Sequence, residues 1–493
     1  EVQATVIPGS EFGDGVGDLL DTMGIRRLPW ERAVRSSFDL AVAGSANGDL
    51  HRVKAPVMLF SHGAGFHKLL PFSVSGTGLS DLAAARIMHS GKVVPARIML
   101  PGRDSLHRLR DDCPQAEPRA RIAGDPALQQ LRAHAPLRGA YRSALGLRPG
   151  QRLVVVSSTW GTGSLAGQSF ELVERLCAEL PLDEYRVALI LHPNIEAYHG
   201  RHGVKSRVRK SIDSGLIRIP SQSGWQATVL AADCVIGDHG SVTFYGADFV
   251  PVAVAAHSPH EYLADGPLAA FADVVPHFDV DRPVLPQVES LLAQPRSEAA
   301  RPVIDSSIER DIDAAGVFRS TMYELMRLEE PAAPSFNPLP LPAPRCAEVL
   351  AALVHTKVHE SSVAVTRYPA ATAATGEGMH LVARVDAANP RVRQSAAALI
   401  TDDRDTPLED VLRAHPGCRL AARRLTSRSS EVRHRDGSTV LATTDGRVRV
   451  DPAWLAVSVC YALGTSFGQL PGRVDVTVGG GHTEIRFDEP SLG

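Results

Sequence analysis

The chain has 493 residues, enough for about two to four domains with sizeable cores. Its 52 basic and 55 acidic side chains leave a formal net charge of −3, which gives no global pull toward nucleic acid or an anionic membrane. The six cysteines (Cys113, Cys177, Cys234, Cys346, Cys418, Cys460) are scattered without a CxxC pair, which argues against a disulfide framework or zinc ribbon and for a reducing cytoplasm.

In chain order, "ATVIPGSEFGDGVGDLLDTMG" reads as strand, glycine-rich loop and helix. Gly13, Gly15 and Gly17 lack the GxGxxG spacing and the ribose-binding acid of a dinucleotide loop, so a plain βα turn is expected. "FDLAVAGS" and "PVMLFSHGAG" read as further strands. Residues 1–149 are thus expected to form a first Rossmann-like domain, with a joint at "LRPG" (147–150). The next unit alternates cleanly. "RLVVVSS" (152–158), "YRVALILHPN" (185–194), "LIRIPS" (216–221), "CVIGD" (234–238) and "PVAVAAH" (251–257) are apolar runs, as strands buried on both faces of a parallel sheet require. "SFELVERLCAEL" carries helical spacing, Ser223 is placed to cap a helix through "GWQATVLAAD", and a helix follows over "SVTFYGADF". The basic run "RHGVKSRVRK" (201–210) reads as a solvated loop. A helix near 308–328 closes a second Rossmann-like domain, residues 150–330.

The stretch 331–345 is proline-rich and reads as an extended, semi-rigid linker. Beyond it, residues 346–493 mix strands with two or three helices, an α+β accessory domain. There Asp451-Pro452 marks a helix start and Gly464 a stop. The longest apolar helix candidate, 453–463, is too short to span a bilayer, and nothing at the start reads as a signal peptide. A cytoplasmic protein is expected. The overall expectation is α/β, with two doubly wound domains facing a cleft in the GT-B manner and an α+β domain behind them.

In open α/β sheets, ligands bind beyond the carboxyl ends of strands. The second domain places Ser158, Thr159 and Trp160 after its first strand, His192 and Asn194 after its second, and Asp238, His239, Gly240, Ser241, Val242 and Thr243 after its fourth. Each group alone is ordinary turn or cap chemistry. If the strands are neighbours, hydroxyls, imidazoles and helix-start amides converge on one edge, a set suited to a diphosphate. Facing them from the first domain, "PVMLFS" ends on His62 and Gly63, with His67 and Lys68 beyond. Histidine is the side chain most readily poised near neutral pH to take a proton from a hydroxyl.

"SHGAGFHK", "ARIAGDPALQQL", "VVVSSTWG", "LHPN" and "VLAADCVIGDHGSVTFYGADFVPV" follow one another as in the CDP-glycerol glycerophosphotransferase family, GT-B enzymes that polymerise teichoic acid. The chain resembles that family over about residues 38–260. The resemblance implies a general base at His62, a diphosphate contact at His192 and a phosphate cradle from Asp238 to Thr243. Departures are Gly240 in a serine pair, Tyr245 at an acidic position and Ala64 in place of threonine. The implied function is transfer from a nucleotide-diphosphate donor, CDP- or UDP-linked, to an acceptor hydroxyl. The alternatives are an isomerase like UDP-N-acetylglucosamine 2-epimerase, or a non-catalytic nucleotide-binding scaffold on the same fold. No cofactor, nucleic acid or transmembrane segment is called for, which leaves room for peripheral membrane contact. His257, His260 and His277 lack a metal-ligand pattern, and no metal is expected.

Overall fold

The structure, a computed structural model, describes the chain apart from residues 1, 8–15, 47, 67–68, 70–79, 296–297, 333–337, 361, 374, 448–449, 465–469 and 490–493. Residues up to about 330 form two parallel α/β units. In the first, strands Ala41–Ala43, Val57–Phe60, Arg97–Leu100 and Ala120–Ile122 lie in that order, all parallel. Met58, Leu59, Ile98 and Leu100 are fully buried, as strands covered on both faces demand. One cover arrives from far along the chain. Helix Ala314–Met326 lays Val317, Phe318 and Met322 against Met58, Met99 and Ala123, and Phe318 meets Phe60 edge-on at 5.8 Å. Asp313 caps this helix by accepting from the Gly316 N–H.

The second sheet runs Val252–Val254, Cys234–Gly237, Arg152–Ser158, Tyr185–Leu191 and Ile217–Arg218, again all parallel. These are the five strands expected from the apolar runs. The chain starts at the central strand, builds outward on one side, then crosses to the other. That reversal opens a crevice between the ends of Arg152–Ser158 and Cys234–Gly237.

Several local expectations meet a different outcome. Ala4 makes only an isolated bridge with Arg27, while Gly13 and Gly15 lie outside the described residues. Gly17 stands in helix Val16–Thr22. Gly224, in the left-handed region (φ 89°), precedes helix Trp225–Ala231 in the place expected of Ser223. The basic run is helical. It spans the end of Pro193–Arg207, broken at Gly200, and Arg209–Asp213, where Arg209 pairs with Asp213 and Lys210 with Glu174. Packing also draws the lobe boundary before residue 149. Helices Pro126–His134 and Arg138–Ala144 bury Leu128, Leu131 and Tyr141 among Leu153, Val155 and Val235 of the second sheet. Arg138 and Arg142 both hold Asp233, at 2.6 and 2.9 Å.

The proline-rich stretch is anchored on the second lobe at two described points. Leu339 is buried there, and its N–H donates to Nε2 of the buried His134 at 2.9 Å. Arg345 exchanges two backbone hydrogen bonds with Arg218. The chain then enters a closed nine-stranded barrel. It is wrapped on helix Pro452–Leu463, whose residues Pro452 to Cys460 are all buried. An apolar surface all round suits a helix enclosed on every side. Asp451 accepts from the Ala453 N–H at its start, and Gly464 takes the left-handed conformation (φ 63°) at its end, as the sequence predicts. No described helix is long and apolar enough to cross a membrane.

Candidate functional site

The three groups read from the sequence do stand on adjacent strands, because Arg152–Ser158 pairs with both Tyr185–Leu191 and Cys234–Gly237. Half of their side chains nevertheless point inward. Asp238 is completely buried. Its carboxylate accepts from the backbone N–H groups of Thr159 (2.9 Å), Leu165 (2.9 Å) and Gly240 (2.9 Å) and from the Ser158 hydroxyl (3.0 Å). Ser158 Oγ in turn accepts from the Ala166 N–H at 2.9 Å. Asp238 therefore ties the loops of both crevice walls together and has no capacity left for a phosphate, which its own charge would repel in any case. Gly240 is required beside it, since a Cβ there would stand 2.9 Å from Asp238 Oδ1. Asp238→Asn exchanges acceptor capacity for an amide that faces backbone donors. It should cost about 2–3 kcal/mol, the scale of a charged hydrogen bond lost in the interior. Urea unfolding measures this, and unchanged stability would remove the clamp.

Thr159, His239 and Thr243 are buried as well. His239 Nε2 lies 3.0 Å from Glu261 Oε2, and Glu261 Oε1 accepts from the Gly163 N–H. This pair joins the cradle loop to the segment after the last strand. Glu261 was not singled out in the sequence, because nothing in "HSPHEY" marks its glutamate as the partner of a histidine earlier in the chain. Thr243 packs under Gly237, where a Cβ would come within 2.1 Å of its hydroxyl oxygen.

Trp160, His192, Asn194, Ser241 and Val242 are half-buried and border the crevice. His192 caps helix Pro193–Arg207, its Nδ1 accepting from the Asn194 N–H at 3.2 Å. An accepting Nδ1 places the ring proton on Nε2, the form that donates to a phosphate oxygen. Trp160 lies alongside, ring centroids 6.4 Å apart.

From the other lobe, His62 is exposed at the end of strand Val57–Phe60. Its Nδ1 is 2.9 Å from the Gly44 carbonyl oxygen. A carbonyl only accepts, so Nδ1 carries the proton and Nε2 holds the basic lone pair. Asp81 lies nearby, 6% exposed, bonded by the Ser45 hydroxyl and Arg86. Burial raises its carboxyl above the ordinary range against the pull of Arg86 and His62. His67 and Lys68 lie outside the described residues.

The lobes touch where these parts meet. The Ala64 N–H donates to Ser241 Oγ at 3.0 Å. Gly63, at φ 90°, passes so close that a Cβ would sit 2.4 Å from that oxygen. Accepting the bond from Ala64 does not use the Ser241 proton, since a hydroxyl accepts and donates independently. A second strut is Tyr245, whose hydroxyl donates to Asp125 Oδ2 at 2.6 Å, both residues being buried. The position that departs from the resembled family thus bridges the first lobe's last loop to the helix after Asp238. Among the described residues, no group of three or more histidine, cysteine, aspartate or glutamate side chains is arranged to hold a metal ion.

No family model matches the chain, and no curated protein matches it. Among solved structures, it is distantly similar to the wall teichoic acid polymerase TagF. The alignment is 13% identical, covers 66% of this chain and 88% of that one, and has a TM-score of 0.43. HepE from Anabaena, solved with UDP and glucose, is 12% identical over 64% of this chain and 90% of its own, with a TM-score of 0.35. MnaA from S. aureus, solved with UDP, is 10% identical over 65% and 89%, with a TM-score of 0.39. Likeness this remote leaves the chemistry of the site to its own residues.

Proposed function

We propose that this protein is a transferase of the GT-B kind, moving a group from a nucleotide-diphosphate donor to an acceptor hydroxyl in the crevice between its lobes. The observation that carries this reading is the junction of the His62–Ala64 loop with Ser241. It brings a proton-accepting imidazole nitrogen to the edge of a set of phosphate donors. His62 Nε2 takes the acceptor's hydroxyl proton, and the acceptor oxygen bonds to the donor's carbon or phosphorus centre. The bond from that centre to the nucleotide's phosphate oxygen breaks, its electron pair leaving with the nucleotide. His192 Nε2–H and the Ser241 hydroxyl stabilise the charge that develops there. The buried Asp238, Ser158 and His239–Glu261 contacts hold these donors in place without touching the ligand.

Isothermal titration with CDP, UDP, GDP and ADP tests the donor side. One of the four should bind, and His192→Ala should weaken it by about 10–100-fold, the loss of one hydrogen bond to a charged partner. Binding by none of them would overturn the proposal.

A further inference from the structure

We propose that the cavity beside helix Arg103–Asp112 is an acceptor subsite for an uncharged polyhydroxylated group, a sugar or polyol without phosphate; its role as an acceptor site rests on the transferase reading above. The cavity has a volume of about 270 Å³ and lies between the lobes. Asp104, Ser105, Arg108 and Asp111 of the helix form one wall, and Leu263, Asp265 and Pro267 of the second lobe form the other.

Each wall continues directly into one half of the candidate site. The helix follows strand Arg97–Leu100, the hydrogen-bonded neighbour of the strand that ends before His62. Phe66, also lining the cavity, belongs to the His62 loop. On the far side, Leu263 and Asp265 come just after Glu261, which is bonded to His239 and Gly163 of the cradle. A molecule in the cavity therefore touches Phe66 of the base loop, and it touches the segment from Leu263 that Glu261 ties to His239 and Gly163.

The lining fits carbohydrate. Leu263 and Val303, both half-buried, offer apolar surface to C–H faces, while carboxylates, a guanidinium and hydroxyls take the O–H edges. Ser105 is 1% exposed, and its hydroxyl has no hydrogen-bond partner among the described residues. Buried polar groups almost always have one, and a ligand hydroxyl would supply it. Charge decides the class. Asp104, Asp111 and Asp265 outnumber Arg108, which already pairs with Asp265 at 2.5 Å, and they still do so if His107 is counted as a cation. A phosphate would meet net negative charge here; a neutral sugar would meet only hydrogen-bonding partners.

Ala270, exposed and part of the lining, is the place to block the cavity without disturbing either core. The experiment applies saturation-transfer NMR to the full chain with glucose, N-acetylglucosamine, glycerol, ribitol and glycerol 3-phosphate, alongside the nucleotide titration. At least one neutral probe should bind with a Kd of about 10 mM or tighter. Ala270→Phe should weaken that probe by about tenfold or more, while nucleotide affinity stays unchanged. Ser105→Val should act in the same direction, and glycerol 3-phosphate should bind more weakly than glycerol. Absence of any binding sensitive to Ala270→Phe, or tighter binding of the phosphorylated probe, overturns the subsite. If nucleotide binds and no neutral probe does, only the subsite falls. If a neutral probe binds in an Ala270-sensitive way and no nucleotide binds, the subsite stands and the transferase reading falls.

Discussion

His62→Ala should lower turnover by about 10²–10⁴-fold, the usual contribution of a positioned general base. Turnover is read as acceptor-dependent release of nucleotide from whichever donor binds. The reason lies in the hydrogen bond to the Gly44 carbonyl, which commits Nδ1 to donation and leaves Nε2 as the basic nitrogen. Donor affinity should hardly move, because His192 and Ser241, the proposed hydrogen-bond donors to the phosphates, belong to the other lobe. His62→Gln should be equally inactive, since an amide can bond to the Gly44 carbonyl oxygen but cannot take up a proton. Should nucleotide binding fall as far as turnover in both variants, His62 is a ligand contact and the base lies elsewhere.

The second large effect concerns the barrel. A proline-rich spacer suggests that residues 346–493 could be cut away, leaving two folded lobes. The packing points the other way. Asp183 of the second lobe, its side chain 4% exposed, is held by Arg367 of the barrel at 2.7 Å and by Arg148 at 3.0 Å. Leu182 donates its N–H to the Arg367 carbonyl, and the guanidinium of Arg367 stacks over Trp454 of the enclosed helix at 5.1 Å. Arg367→Ala leaves a buried carboxylate with one partner and should cost about 3–5 kcal/mol. Truncation after residue 330 also strips Leu339 from the second lobe and should give an aggregating product. A monomeric, folded truncation, or an Arg367→Ala variant with the wild-type urea midpoint, would show the barrel to be independent.

The same pair sets a pH dependence. Burial alone would raise the Asp183 carboxyl, but Arg367 and Arg148 overrule it and hold it down at about 2, against an ordinary 3.8. A carboxyl with a depressed folded value binds its proton more readily when unfolded. The stabilisation is therefore complete above about pH 4 and disappears as pH falls toward 2. Wild type should lose stability across that window, and Arg367→Ala should lose less.

Much of the second lobe was legible because most residues of its longer strands are apolar and buried in a parallel sheet, as in "RLVVVSS" and "CVIGD". The convergence of Ser158, His192 and Ser241 followed from strand order alone. Which side chains face the ligand did not. Asp238 looks like a phosphate-cradle residue, and only the positions of the Thr159 and Leu165 amides reveal that its oxygens are occupied. The lobe boundary was hidden for a related reason. The apolar face of Pro126–His134 shows that the helix is packed, but not against which sheet. The barrel was least legible, since strands such as Ser429–His434 bury only alternate residues and their partners are set by closure around a helix.

That enclosed helix governs how the chain must be made. Pro452–Leu463 leaves the ribosome after seven of the barrel's strands and before the last two, Arg473–Val478 and Gly481–Asp488. One of those late strands pairs in parallel with Ser362–Pro369, Val476 lying opposite Val363. Until the late strands emerge, the first seven form an open sheet with two unpaired edges, and an apolar helix lies exposed beside them. Contacts so distant in sequence form slowly, and open edges invite other chains. Those two strands thus serve as the latch of the barrel: a ribosome that stalls before them releases a sticky, unclosed sheet, whatever the state of the two lobes already folded upstream.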